Sequence, residues 1–528
     1  MKKILSFFIP SVIFLMMCSC EKFLTHDDPV NVVDATWWKI EANATGALQS
    51  VYAGLPGGSG GRQLMFLSAL SDEAVARQDA RGAYEAFAKG LQNSTWGVAL
   101  MVWRDDYKDI RRACRFLENV DKCYMDSALK DRYKYEARAM RAYYHLEMLM
   151  LFGGIPIITT SLEPSNSNVT RNTEKEVYDF VLKELTESAA HLPDTYNNNE
   201  VWRISSGVCY ALICKMAMFY KEYETAKTAA RKVIDQGVYA LYRSSNPKTN
   251  SFAELFTYAG EFNKERIFFR DAGCNNAWAT FAPYGVGGQT VVSPTMKMVN
   301  NFETLQGKTL EELGTDSAAI YQKDPLFKNN RDPRLIASVL VPGQIFEKDT
   351  LRPFGDTGSD RIGLLNSTST GFWVRKYLDP KDRNGASPSL DYMIIRYAEI
   401  LLYYAEALVE SGEWQNLDVI KHLNDIRTRA GMPVVDVSKY NSAEKLRQLI
   451  RRERMSELAF EGARFYDIRR WGILGSIMNG TVYGAVSPAA GQPVTVEVRS
   501  CIPDRDTRYP IPLNEILANP KIQQNPLY

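Results

Sequence analysis

Residues 396–471 carry the strongest structural pattern in this 528-residue chain. They read RYAEILLYYAEALVESGEW at 396–414, NDIRTRAGM at 424–432, ERMSELAFEG at 453–462 and DIRRW at 467–471. Apolar residues recur at helical spacing, the charged residues are grouped, and glycines or prolines separate the segments. The pattern predicts three amphipathic helices.

Helical periodicity extends over two blocks, from about Trp103 to Gly237 and from about Leu390 to Trp471. Small residues that let helices approach closely, with an aromatic residue to fill the seam, are typical of tetratricopeptide helix pairs. Two segments show this arrangement and a third is a candidate: Ala217/Tyr223/Ala226, Ala405/Leu408/Trp414 and Ala139/Ala142/Tyr143. The irregular spacing of these segments predicts a helical scaffold interrupted by long insertions.

The segment Phe252–Pro388 is rich in Gly, Asn, Thr, Asp and Pro. Short apolar runs at Leu335–Val341 and Phe372–Tyr377 predict strands, and Thr481–Val498 predicts one or two strands or a hairpin. Binding residues are commonly carried by loops on a rigid scaffold. We therefore expect the ligand-binding surface on these insertions.

The N-terminus has the pattern of an export signal. Lys2 and Lys3 precede an apolar run, Ile4–Met17, that is too short to span a bilayer. Cys20 follows the small residue Ser19, which is the processing pattern of a bacterial lipoprotein. We therefore expect a signal peptide over residues 1–19, lipidation of Cys20 and attachment to a membrane; an ordinary secreted protein is the alternative.

Composition and cysteine spacing limit the kinds of partner, metal site and cofactor that this protein could have. The net charge of +1 argues against a nucleic-acid partner, which requires a basic surface. The cysteine spacings match neither a zinc site nor a small disulfide-stapled fold, and no cofactor-binding motif is present, so we expect no metal and no cofactor. Most cysteines after Cys20 are expected to be buried thiols on helices: Cys114, Cys123, Cys209, Cys214, Cys274 and Cys501.

Two motifs raise the possibility of catalysis. Gly57–Gly61 matches the G-x-S-x-G nucleophile elbow around Ser59, but a helical run precedes it where that motif needs a strand. Glu453, Glu457 and Glu461 share a helix face, yet neighbouring arginines favour charge pairing over the two-carboxylate chemistry of a glycosidase. We therefore predict no catalytic residues and no enzymatic activity.

Aromatic residues in loops are the remaining chemical signal. Sugar rings stack on indole and phenol rings, while amide and charged groups bind their hydroxyls. The same rings could equally fill the core. The candidate ligand residues are Asn93, Trp96, Asn276, Trp278, Phe281 and Tyr284.

Several further segments, together with residues 396–471, resemble the SusD/RagB family of outer-membrane lipoproteins. The resemblance extends over nearly all of the chain after Cys20. Its most specific part is the C-terminal tail. The segments are Trp37-Trp38, Ser71-Asp72-Glu73-Ala74, Phe152-Gly153-Gly154-Ile155-Pro156, Arg331-Asp332-Pro333-Arg334, Tyr509-Pro510-Ile511-Pro512 and Gln524-Asn525-Pro526.

This resemblance implies a mainly α fold, in which about four tetratricopeptide-like helix pairs support a loop-rich subdomain with short β-strands. The scaffold would occupy approximately residues 35–250 and 390–472, and the insertions residues 251–389 and 473–528. It also implies a SusC-like TonB-dependent barrel as partner, an outward-facing position on the outer membrane, and an oligosaccharide ligand. A peptide-binding, RagB-like subunit is the alternative, and a surface glycoside hydrolase is a remote one.

Overall fold

The computed structural model describes residues 37–58, 63–77, 84–197, 200–384 and 388–528. The expected signal peptide, Cys20 and Ser59 lie outside the described residues. Among the described residues, no helix is both long and apolar enough to cross a bilayer.

Helices dominate the described chain. The helices with defined bounds are α1 Glu41–Tyr52, α2 Gly97–Asn119, α3 Ser127–Phe152, α4 Glu174–His191, α5 Ser206–Phe219, α6 Tyr223–Asp235, α7 Ser251–Glu254, α8 Ala277–Phe281, α9 Met296–Asn301, α10 Thr315–Lys323, α11 Pro333–Ser338, α12 Tyr397–Glu410, α13 Leu417–Ala430, α14 Ala443–Glu457, α15 Ala463–Arg470, α16 Leu474–Met478, α17 Pro503–Asp506 and α18 Leu513–Ala518.

The strands are short and form antiparallel pairs. They are β1 Ala74–Ala76, β2 Arg266–Arg270, β3 Val292–Pro294, β4 Val339–Leu340, β5 Ile345–Phe346, β6 Asp349–Thr350, β7 Trp373–Val374, β8 Tyr392–Arg396, β9 Gly480–Val486 and β10 Pro493–Arg499. The pairs are β1 with β3, β2 with β8, β4 with β7, β5 with β6, and β9 with β10.

The long helices pack in a continuous series. Each of α2 to α6 packs against the next, α6 packs against α12, and α12 packs against both α13 and α14. The small residues expected at the seams, among them Ala139, Ala217 and Ala405, are fully buried. The predicted mainly α fold of packed helix pairs with a loop-rich subdomain is therefore confirmed.

The insertion between α6 and α12 differs from its prediction in one place. The run Leu335–Val341, predicted as a strand, is helical up to Ser338, and the strand covers only Val339–Leu340. The helix forms because Asp332 accepts a hydrogen bond from the Arg334 N–H and Pro333 occupies the first helical turn. The predicted strand at Phe372–Tyr377 is confirmed in part, by Trp373–Val374, and the C-terminal hairpin is confirmed by β9 and β10.

A buried network of charges joins the insertion to the helices. Arg396, at the end of β8, bonds Glu265 at 2.8 Å, Glu457 at 2.7 Å and Glu461 at 2.7 Å. Arg429 on α13 also pairs with both Glu265 and Glu457. Because these groups are removed from water, each charge depends on its partners for compensation.

A second part of the same network surrounds Glu453. Arg334 of the insertion contacts Glu453 at 2.5 Å and Glu457 at 3.1 Å, and Arg427 pairs with Glu453 at 2.9 Å. Burial alone would raise the pKa of Glu457, but Arg429, Arg396 and Arg334 hold it well below its usual value. The predicted pairing of Glu453, Glu457 and Glu461 with arginines is confirmed, but Glu461 lies beyond the end of α14, so the three do not share one helix face.

All six cysteines after Cys20 belong to the described part of the chain, where they are buried and form no disulfide with one another. Cys114 lies in α2, and Cys209 and Cys214 lie in α5, whereas Cys123, Cys274 and Cys501 lie outside helices. The predicted burial of the six cysteines is confirmed. Their predicted location on helices is correct for three of the six.

Candidate functional site

The predicted stacking ring Trp96 lies in the core. Its side chain is 6% exposed, and its ring packs against Phe87 at 5.5 Å and Tyr509 at 4.7 Å between centroids. The neighbouring Asn93 is exposed, but its Oδ1 accepts hydrogen bonds from the N–H and hydroxyl of Thr95. The expectation that Trp96 offers an open face is wrong, because the C-terminal tail covers it.

Two rings of the other predicted ligand-binding segment, residues 276–284, are also buried, contrary to the prediction. Trp278 is 4% exposed, stacks on Phe346 at 5.5 Å and donates from Nε1 to the Val286 carbonyl at 3.0 Å. Phe281 is fully buried against Phe66 at 5.4 Å. These rings hold the loop in place and offer no face to a ligand.

Asn276 and Tyr284, in contrast, reach the surface. Asn276 is exposed at the start of α8, and the Tyr284 side chain is 47% exposed after a turn that follows α8. Of the aromatic residues predicted to bind ligand, Tyr284 is therefore the one whose ring is open to solvent.

Three segments of the insertion meet at Tyr284. The Tyr284 N–H donates to Asp360 Oδ1 at 2.8 Å, and the Gly285 N–H donates to the same oxygen at 3.4 Å. A Cβ at Gly285 would lie 2.0 Å from Asp349 Oδ2 and 2.8 Å from Ser359 Oγ. Glycine at position 285 thus permits the close approach of the three segments, which we name the Tyr284 surface: Tyr284, Gly285, Asp349, Ser359 and Asp360.

The Tyr284 surface carries two partly exposed acceptors for hydroxyl groups, Asp349 and Ser359, next to the buried Asp360 carboxyl group. Burial raises the pKa of Asp360, the two backbone N–H groups lower it, and nearby Asp349 raises it again; the net direction is upward. The exposed aromatic ring, with the partly exposed Asp349 carboxyl group and Ser359 hydroxyl nearby, combines an apolar stacking face with polar groups that can orient a polyhydroxylated ligand. This arrangement suits a sugar ring.

Sequence reasoning did not identify Asp349, Ser359 or Asp360. The segment that ends with Ser359 and Asp360, Gly355-Asp356-Thr357-Gly358-Ser359-Asp360, is rich in turn residues, which marks a loop, whereas Asp349 lies in strand β6. That signal indicates a surface loop but not which other loop it contacts, and the contact with Tyr284 spans 76 residues.

The glutamate face that raised the possibility of glycosidase chemistry is inaccessible. Glu453 and Glu457 are buried, the Glu461 side chain is 7% exposed, and all three are engaged by the arginines described above. These carboxylates stabilise the junction of the scaffold and the insertion.

Comparison with known proteins identifies the chain's relatives. A family model described as the SusD family matches residues 246–528, and one described as starch-binding associating with outer membrane matches residues 34–218. SusD-like protein P38 of Formosa agariphila is 24% identical over 98% of this chain and 99% of its own length.

Solved structures agree with this match. A SusD-like carbohydrate-binding protein from Bacteroides fragilis superposes with a TM-score of 0.83 at 25% identity, covering 92% of this chain and 100% of that one. A second SusD-like protein from the same species gives a TM-score of 0.82 at 27% identity and covers 94% of this chain and 99% of that one. Because the family model matches more than half of the residues, this chain belongs to the SusD family.

Proposed function

We propose that this protein captures glycans at the outer face of the outer membrane, and that the Tyr284 surface contacts the sugar. The observation that supports this most strongly is the half-exposed Tyr284 ring, whose backbone N–H is held by the buried Asp360 carboxyl group. Family membership supports the same function, and the similar structure from Bacteroides fragilis is described as carbohydrate-binding.

The geometry favours binding over conversion. The Tyr284 and Gly285 N–H groups hold the buried Asp360 carboxyl group in place, and the partly exposed Asp349 and Ser359 of the same surface are the side chains available to accept a sugar hydroxyl. The exposed phenol ring supplies the stacking face. We therefore expect the bound glycan to be released unchanged, with no reducing ends generated during prolonged incubation.

The proposed partner is a SusC-like TonB-dependent barrel, over which this protein acts as a lid, and the proposed anchor is a lipid on Cys20. The family assignment and the sequence around Cys20 support these two proposals. The ligand would be held between lid and barrel and passed inward when the barrel is energised.

Titration calorimetry tests the ligand class. The protein, produced without its expected signal peptide, is titrated with soluble polysaccharides of different linkage and, in parallel, with pools of tryptic peptides. Saturable heat with at least one polysaccharide and none with the peptides is expected. Binding of peptides alone would replace the glycan function with the RagB-like one.

Fractionation of cells tests the anchor and partner. Wild-type protein should sediment with outer membranes and co-purify with a TonB-dependent barrel, whereas Cys20→Ala protein should appear in the soluble fraction. A Ser19→Ala variant keeps a small residue before Cys20 and serves as the matched control. Membrane retention of the Cys20→Ala protein would rule out the lipid anchor.

A further inference from the structure

A second depression, separate from the Tyr284 surface, lies between α9, α10, α14 and the end of α15. Its volume is about 710 Å³. We name it the Trp471 cleft, and the residues that define it here are Asn300, Thr315, Ala318, Gln322, Arg451 and Trp471.

Arg451 is the unusual residue of this cleft. Among the described residues no carboxylate lies within ion-pair distance of it, and its buried Nε has no hydrogen-bond acceptor. Glu406 and Glu410, which act on it electrostatically, already form bidentate pairs with Arg470 and Arg447. Arg451 therefore retains hydrogen-bonding capacity that the protein itself does not use.

The other arginines that line the cleft are neutralised. Arg452 donates to Glu303 at 2.8 Å, and Arg464 forms a bidentate pair with Asp72 at 2.8 and 3.0 Å. The unused positive charge in this part of the described chain is thus concentrated at Arg451.

Trp471 holds the Arg451 guanidinium in position. The indole Nε1 donates to Glu406 at 2.6 Å, which fixes the ring, and the Arg451 guanidinium carbon lies 4.8 Å from the ring centre. A cation–π contact of this kind orients a guanidinium without neutralising its charge. The side chain is therefore pre-organised for an anion.

Neutral polar groups complete the cleft. Thr315 and Gln322 line the α10 wall, and the buried Oδ1 of Asn300 has no hydrogen-bond donor among the described residues. Glu311 also lines the cleft but is exposed, so solvent screens its charge. One fixed cation surrounded by neutral donors and acceptors suits a ligand that carries a single anionic group and several hydroxyls.

We propose that the Trp471 cleft binds an acidic sugar residue, with the carboxylate or sulfate ester of that residue on the Arg451 guanidinium. The inference rests on the proposed glycan function. It adds that the protein distinguishes acidic from neutral glycans. The Tyr284 surface cannot supply this selectivity, because Asp349 and Asp360 make it acidic.

The test uses three oligosaccharide probes and titration calorimetry at low and high salt. The probes are trigalacturonate, the same trimer reduced at its carboxyl groups, and a sulfated carrageenan oligosaccharide. Wild-type protein should bind at least one acidic probe tenfold or more tightly than the reduced trimer, and salt should weaken that preference. Comparison of the two acidic probes shows whether carboxylate or sulfate is the preferred group.

Two variants locate the binding. Arg451→Gln should lower the affinity for the acidic probe about tenfold, by analogy with other charge-assisted contacts, and leave that for the reduced trimer unchanged. Ala318→Trp should have the same effect by filling the cleft without altering an arginine. Arg104→Gln is the control: it removes an arginine on α2 whose side chain is 65% exposed, and it should change the affinity for neither the acidic probe nor the reduced trimer.

Two results would overturn the inference: a wild-type affinity for both acidic probes no greater than that for the reduced trimer, or a preference for an acidic probe that survives in both Arg451→Gln and Ala318→Trp. Glycan binding by the wild type would then still support the proposed function, so the two failures are distinguishable. If none of the three oligosaccharides binds and an acidic peptide does, the inference about the cleft falls, while the titrations with polysaccharides decide the proposed function separately.

Discussion

Trp96 and Trp278 are each covered by a ring from a distant part of the sequence. Tyr509 covers Trp96, and Phe346 stacks on Trp278. Both tryptophans follow turn-forming residues, which is equally compatible with an exposed platform and with a core residue at the edge of a loop. The predicted loop context is correct for Trp96 but not for Trp278, which lies in the short helix α8, and the burial of both depends on contacts between residues far apart in the chain.

Glu457 tests the buried charge network. Glu457→Gln should lower the free energy of unfolding by about 3–5 kcal/mol, because Arg334, Arg396 and Arg429 would lose a shared buried carboxylate. Urea unfolding followed by circular dichroism measures the change. Asp179→Asn breaks the exposed pair with Lys175 and should leave stability unchanged; an equal loss in both variants would refute the importance of burial.

Glu73 predicts a dependence of stability on pH. Burial raises the pKa of Glu73 to about 8, against lowering contributions from Ser68, Arg464 and Lys376, while Asp72 raises it further. Because the folded state retains a proton that the unfolded state releases near its ordinary pKa, this residue reduces stability as the pH rises from about 5 to 8.

Glu73→Gln should remove this contribution. The fall in unfolding free energy between pH 5 and pH 8 should be smaller in the variant than in the wild type, by on the order of 3 kcal/mol. Urea titrations at several pH values measure it. Identical pH dependence in the two proteins would show that Glu73 does not retain its proton on folding.

At the level of secondary structure, the long helices followed from the sequence because their apolar spacing is regular and their ends carry local signals. Gly431 ends α13 with a positive φ of 87°, and Ser442 caps α14 by accepting from the Lys445 N–H. Leu335–Val341 was mispredicted because its apolar run suits either a strand or a helix. There the local signal at Asp332 and Pro333 determined the outcome.

Replacing either of two helix glycines by alanine should change the stability of the protein, in opposite directions. Gly431→Ala should destabilise the protein by about 1 kcal/mol, because alanine is strained at this positive φ. Gly46 lies on the exposed side of α1, where an added Cβ meets no atom, so Gly46→Ala should stabilise by about 0.5–1 kcal/mol. Thermal melting compares them; a gain in stability for Gly431→Ala would contradict the capping role.

At the level of the whole molecule, the scaffold is assembled from helices on both sides of the insertion. The α6 helix packs against α12, although residues 236–396 separate them. The sequence predicted the two helical blocks and placed the ligand surface on the insertion. It did not predict how the segments of that insertion meet, since the contact of Tyr284 with Asp360 is set by the tertiary fold.

This arrangement gives the molecule two distinct roles for its charged residues. Buried arginines and glutamates stabilise the junction between the insertion and the scaffold. Asp360, in contrast, holds the backbone of Tyr284, whose ring is exposed. Substitutions at the exposed ring should therefore affect binding and leave folding intact.

Calorimetric titration of Tyr284→Ala with the glycan that the wild type binds tests the assignment of the ligand surface. Loss of the ring should weaken binding about tenfold to a hundredfold, or about 1–3 kcal/mol, by analogy with base stacking on aromatic side chains. The melting temperature should not change. Tyr124→Ala, which removes a ring that is 89% exposed elsewhere, should bind as the wild type does. Unchanged affinity in Tyr284→Ala, or an equal loss in both variants, would contradict the placement of the glycan at Tyr284.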